Sequence, residues 1–146
     1  MSASDNPFGH SINVADVLDT LGFFDSWEDR YKYIIELGRE LPALPEGFQS
    51  PERLVRGCQS QVWIGTTLVD GRLQVSADSD AFIVKGLLGI VLAAYNNKTP
   101  AEVLAFDIED YFASLDLLQH LSASRGNGVR AMVARIVEIA ESSLPA

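Results

Sequence analysis

The dipeptide Asp70-Gly71, set between Val69 and Arg72, is among the strongest short-range hairpin signals a sequence can carry, and here it limits the fold more than any other pair of residues. With those residues as the turn, Leu68 faces Leu73, Thr66 faces Val75 and Ile64 faces Ala77. The register gathers an almost wholly apolar face and sends Thr67, Arg72, Gln74 and Ser76 to the other side. Leu54 and Val55 read as the start of a further strand, so the expectation is a small antiparallel sheet of about three strands, stable only if helices cover one face.

The helices to do this are visible on both sides of the hairpin. Asn13 caps a run with Val14, Val17, Leu18 and Leu21 on one face, broken at Gly22. Ser26, with Asp29 three residues on, opens a helix that places Trp27, Tyr31, Ile34, Ile35 and Leu41 together and stops before Pro42 and Pro45. After Asp78, Ser79 and Asp80, which read as a helix start, Phe82–Tyr95 is apolar on nearly every side, as a central helix is. Gly86 and Gly89 are tolerable there if a neighbouring element approaches closely. Thr99-Pro100-Ala101-Glu102 is a full capping box opening a short helix to Phe106, and a second short helix is expected over Tyr111–Leu117. Beyond Ser122, a last helix aligns Val129, Met132, Val133, Ile136 and Ala140. The order of elements reads as α+β, with helices packed on one face of the sheet. Residues 1–12, rich in Ser, Asn, Gly and Pro and without a period, read as a mobile N-terminal tail, and residues 13–146 as a single domain.

Hydrophobic residues make up 47% of the 146, enough for a core without metal or disulfide staples. Twenty acidic against eleven basic residues give a net charge of −9, which repels nucleic-acid backbones and anionic lipid, so neither nucleic acid nor membrane is an expected partner. Phe82–Tyr95 is too short to span a bilayer and contains Lys85, and Met1–His10 has no apolar run of the signal-peptide kind, so the expected location is the cytoplasm. Cys58 is the only cysteine, which leaves no internal disulfide. A free cysteine is usually a small buried hydrophobe, but Gln59, Ser60 and Gln61 after it are poor core formers. Gly57 allows a sharp turn beside it, and Arg56 is a cation that would favour the reactive thiolate. A dithiol redox protein needs a second thiol, and a cluster scaffold needs more ligands than one cysteine and two histidines. The remaining choices are a carrier that exchanges sulfur with another molecule and a cysteine hydrolase using Cys58, His120 and Asp116.

The run Arg56-Gly57-Cys58-Gln59-Ser60-Gln61-Val62-Trp63-Ile64 resembles the active-site signature of the SufE family and its paralogue CsdE, the sulfur acceptors of cysteine desulfurases. Further segments agree in order and spacing: Trp27–Tyr31 running to Ile34–Gly38, Asp78–Asp80 with Ile83–Leu87, and His120–Ser122 with Ser124, Arg125 and Gly128. The resemblance implies an α+β fold like that of the IscU-type scaffolds. It further implies that Cys58 carries a persulfide, that Arg125 supports it from beside the cysteine loop, and that Gly57 and Asp80 belong to the loop's hinge and closure. The implied partners are a cysteine desulfurase, SufS-like or CsdA-like, which owns the pyridoxal phosphate, and an iron-sulfur scaffold complex that receives the sulfur. The chain itself is then expected to carry no cofactor and no metal, and a homodimer is left open. Asn6-Pro7-Phe8-Gly9 resembles CsdE more than SufE, whereas Gln59-Ser60-Gln61 resembles SufE. Delivery to another pathway, such as tRNA modification, therefore stays open beside iron-sulfur assembly.

Overall fold

A computed structural model describes residues 6–144. Helices α1 (Val14–Phe23) and α2 (Trp27–Gly38) precede the hairpin of β1 (Val62–Val69) and β2 (Arg72–Ser79). Then come α3 (Phe82–Tyr95), α4 (Pro100–Ala105), α5 (Ile108–Leu115), a 3-10 turn at Leu118–His120, and α6 (Ala123–Ser142). The fold is α+β, and the strands pair antiparallel in the register that Asp70-Gly71 dictates: Leu68 with Leu73, Thr66 with Val75, Ile64 with Ala77. Val62, Ile64, Leu73, Val75 and Ala77 are buried in a core shared with α3.

Two features of the sheet differ from the sequence reading. It has two strands, not three, because Leu54 forms only an isolated bridge to Trp63. The backbone bonds Val55 N–H to the Val62 carbonyl and Ile64 N–H to the Arg53 carbonyl tie this segment to β1. Gly57, at φ +91°, then turns the chain away before a ladder can extend. Leu68, on the apolar face of the register, is 54% exposed while Leu73 opposite is 1% exposed. The segment after α3 explains the difference, since Leu73 N–H donates to the Lys98 carbonyl and Asn97 N–H to that of Leu73, so it covers β2 and leaves the tip of β1 open.

Helix α3 is the axis of the molecule, buried along nearly its whole length from Gly86 to Tyr95. A β-carbon on Gly86 would collide with the Ile34 carbonyl, and one on Gly38 would lie 2.6 Å from the Gly86 nitrogen. Two glycines thus let α2 and α3 touch backbone to backbone, the close approach that offsets their low helix propensity. The capping residues read from sequence act as expected at α2, where Ser26 accepts from Asp29 N–H, and at α4, where Thr99 and Glu102 form both arms of the box. Gly22 does not break α1, which runs on to Phe23, and α2 stops at Gly38, short of Leu41.

Of the segment expected as a tail, residues 1–5 lie outside the described residues, and from Asn6 onward the chain is packed. Phe8 is fully buried, and Asn6 donates to the Val75 carbonyl at 3.0 Å. Asn96, also fully buried, accepts from Val75 N–H at 2.7 Å and donates to the Phe8 carbonyl at 2.7 Å. One amide side chain therefore joins the end of α3, strand β2 and the Phe8 segment.

Candidate functional site

The loop carrying Cys58 is clamped at both ends and loose between them. Its base is the Val55–Val62 backbone bond. Its far end, Gln61, is held by three contacts: its N–H donates to Asp80 Oδ1 at 3.1 Å, and its carbonyl accepts from Ser79 Oγ at 2.7 Å and from Asp80 N–H at 3.3 Å. Between the clamps, the N–H groups of residues 56–60 make no hydrogen bond to any described residue. Gly57 holds the positive φ that sequence assigned to it, and Asp80 acts as a latch on the loop; the side-chain cap expected from Asp78–Asp80 is absent at α3, whose first turn follows Ala81.

Cys58 is partly buried, and its thiol lies 3.6 Å from the Gly128 carbonyl on α6. It faces a cleft of about 20 Å³ lined by Val84 and Leu87 of α3 and by Ser124, Arg125, Gly128 and Met132 of α6. That is room for about one water molecule or one further sulfur atom. Burial pushes the thiol's pKa above its ordinary value. This corrects the expectation drawn from Arg56: that residue is exposed and lines a separate surface cleft with Glu138, not the one that the thiol faces. Arg125 does stand at the Cys58 cleft, with no hydrogen bond or ion pair from its side chain to a described residue.

His120 is placed elsewhere. Its ring stacks on Trp27 with centroids 3.9 Å apart, and its Nδ1 lies 2.9 Å from the Asp116 carbonyl oxygen. Its own carbonyl accepts from Tyr31 Oη. It does not line the Cys58 cleft, and neither does Asp116, so the hydrolase arrangement is not assembled. Trp63 is core, at 8% exposure.

Sequence reasoning missed two supports of the loop. Gly128, quoted only as part of a motif, is the surface on which Cys58 rests. Arg135 of α6 reaches across to the Glu52 carbonyl at 2.6 Å and pins the segment entering the loop. For Gly128 a signal existed: a glycine one residue before the apolar stripe of α6 leaves a gap that a partner side chain can fill. Nothing in the sequence distinguishes Arg135 from other surface arginines.

The SufE family, described as an Fe-S metabolism associated domain, matches residues 15–140. The chain belongs to the SufE family. An uncharacterised SufE-like protein of Rhizobium meliloti is 45% identical over 134 residues, covering 89% of this chain and 96% of the relative. One from Rhizobium etli is 46% identical over 129 residues, covering 86% and 87% respectively. The solution structure of a hypothetical protein from Thermus thermophilus shares the fold, with a TM-score of 0.74 at 18% identity over 91% of this chain and 96% of the other. Membership associates the protein with sulfur handling in iron-sulfur metabolism. Among the described residues, no helix is long and apolar enough to cross a membrane. In this SufE-family protein the CsdE-like residues Asn6, Phe8 and Gly9 are packed against the core, with Gly9 so close to Asn96 that a β-carbon there would collide with its carbonyl. Each of them has a place in the packing.

Proposed function

We propose that the chain is a sulfur acceptor, with Cys58 taking the outer sulfur of a cysteine desulfurase's persulfide. In that step the Cys58 thiolate attacks the terminal sulfur, a new S–S bond forms at Cys58 Sγ, the desulfurase's own S–S bond breaks, and its cysteine leaves as a thiolate. No oxidant is consumed. The observation that carries this reading is the placement of the one thiol on an otherwise unbonded loop, over a cleft with space for one more atom. The inward position keeps the thiol protonated and screened. The outward position, reached by turning at Gly57, delivers it to a partner, where desolvation no longer opposes the thiolate. Arg125 is the cation that lines the thiol's cleft and serves to favour the charged sulfur or to guide the loop. The outer sulfur then passes to a thiolate of an iron-sulfur assembly scaffold, the S–S bond at Cys58 breaking and Cys58 leaving as a thiolate, and the pyridoxal phosphate stays with the desulfurase.

The test is to incubate the protein with a SufS-like or CsdA-like desulfurase and free cysteine, then weigh the intact chain. One added sulfur on the wild type, none on Cys58→Ser, and stimulated alanine release only with the wild type are expected. A wild type that gains no sulfur from either desulfurase would overturn the reading.

A further inference from the structure

Helix α6 meets the Cys58 segment at three levels. Gly128 carries the thiol, a β-carbon built on Gly57 would lie 3.5 Å from that of Ala131, and Arg135 reaches the Glu52 carbonyl at 2.6 Å and the Leu54 carbonyl at 3.5 Å. Residues three and four apart share a helix face, so Gly128, Ala131 and Arg135 form one stripe, and the chain runs along it from Glu52 to Cys58. The bonds of residues 52–55 alternate between two sides. The Arg53 carbonyl and Val55 N–H turn to β1, where they meet Ile64 N–H and the Val62 carbonyl, while the Glu52 and Leu54 carbonyls turn the other way and meet Arg135. A guanidinium thus stands where the next strand of a sheet would stand. Its planar fork can donate to two carbonyls at once, and a charged donor makes the stronger bond. Among the described residues Arg135 forms no ion pair, so both of its bonds are given to this segment.

We infer that Arg135 is a positioning residue for sulfur transfer: by clamping Glu52 and Leu54 it confines the movement of the loop to residues 56–60, so that Cys58 leaves and regains its seat on Gly128 from a fixed base. This rests on the acceptor reading above, which supplies the reaction. With the clamp gone, residues 52–55 keep only their bonds to β1, and the stretch free to move extends back from residue 56 to residue 52. Each added residue must be ordered again whenever the thiol is presented, and a small misplacement of a reacting atom slows a reaction steeply. Loss of Arg135 should therefore free the resting thiol and yet slow its reaction with a partner. An arginine that served stability alone would, on removal, loosen the whole fold together.

The experiment compares wild type with Arg135→Met, which keeps the aliphatic stem, and with Arg135→Lys, which keeps the charge but loses the fork. Amide exchange is read at Val55 and Ile64, whose N–H groups pair the clamped segment with β1, and at Leu73, which bonds Lys98 at the far edge of the hairpin. In the methionine variant Val55 and Ile64 should exchange at least about fivefold faster while Leu73 keeps its wild-type rate, with lysine between the two. Alkylation of free Cys58 should rise about threefold or more. Sulfur uptake from a persulfide-loaded desulfurase should fall at least about fivefold in maximal rate, with the half-saturating concentration unchanged. Equal acceleration at all three amides would make Arg135 a general support and overturn the inference, as would wild-type exchange at Val55 and Ile64. Should the methionine variant not fold, the lysine variant is read at the same amides, and wild-type exchange and uptake there would overturn it. Faster local exchange with undiminished uptake would refute the positioning role and leave the acceptor reading standing. A wild type that no desulfurase loads would sink both.

Discussion

Gly128→Ala tests the resting place of the thiol by separating two effects that one methyl group produces. A β-carbon at Gly128 would meet Cys58 Sγ at 3.6 Å and its Cα and Cβ at 3.9 Å, which is ordinary van der Waals contact. Alanine therefore fits the closed state. In a helix interior it is worth about 1 kcal/mol over glycine, a rise of about 3 °C in the melting point for a domain of this size. The methyl also gains contact with Cys58, but only while the loop is closed. About half the ~0.8 kcal/mol of a buried methylene converts to a roughly twofold lower open population and a twofold slower alkylation by iodoacetamide. The persulfide form should respond in the opposite sense. The cleft of about 20 Å³ is where an added sulfur would sit, and a methyl on Gly128 occupies part of it. A loaded Gly128→Ala chain should lose its sulfur to dithiothreitol faster than wild type. Gly126→Ala is the control, because nothing beyond its own turn of helix lies within 4 Å of its β-carbon position and it reports helix propensity alone. If Gly128→Ala matched Gly126→Ala in both alkylation and persulfide lifetime, the cleft beside Gly128 would not be where the sulfur rests.

Asp80→Ala removes the acceptor of Gln61 N–H and should raise alkylation of the free thiol about fivefold, as loss of ~1 kcal/mol of latch predicts; an unchanged rate would remove Asp80 from loop closure. Arg125→Ala should lower sulfur acceptance roughly fivefold or more while shifting unfolding stability by less than ~0.5 kcal/mol, since its side chain bonds no described residue; the reverse pattern in parallel transfer and urea-melt measurements would make it structural. The raised thiol pKa has a defined sign: its contribution to the closed state is full below the ordinary thiol pKa and is lost as pH rises through the folded value. The alkylation-versus-pH midpoint of the folded protein should accordingly lie above that of the chain in urea, and coincident midpoints would contradict a desolvated resting thiol.

Local chemistry was legible and distant chemistry was not. The register around Asp70-Gly71 came out residue for residue because a two-residue turn fixes it without reference to the rest of the chain. The burial of Leu68 did not, because it depends on whether the segment at Lys98 covers β1 or β2. The third strand was overread because two β-formers at Leu54 and Val55 carry no information about where Gly57 sends the chain. At the site, Cys58, Gly57 and Asp80 were found from residue type and resemblance, and the structure gives each a place at the loop. The charge argument at Arg56 failed because proximity in sequence is not proximity in space: the side chain lies over another cleft, while Arg125, sixty-seven positions away, borders the thiol. Composition also misjudged Asn6–Ile12, whose polar and small residues look loop-like but whose burial is supplied by Asn96.

That side chain sets an order of assembly. The Phe8 carbonyl waits for a donor 88 residues further along, on a helix that must itself be seated on β2 before the amide is aimed correctly. A ribosome adding about 5–20 residues per second leaves Phe8 without its partner for on the order of ten seconds. During that interval the phenyl ring that ends fully buried is presented to solvent, open to capture by a holdase chaperone or by another nascent chain. The Phe8 segment is thus made well before the side chain that completes its burial.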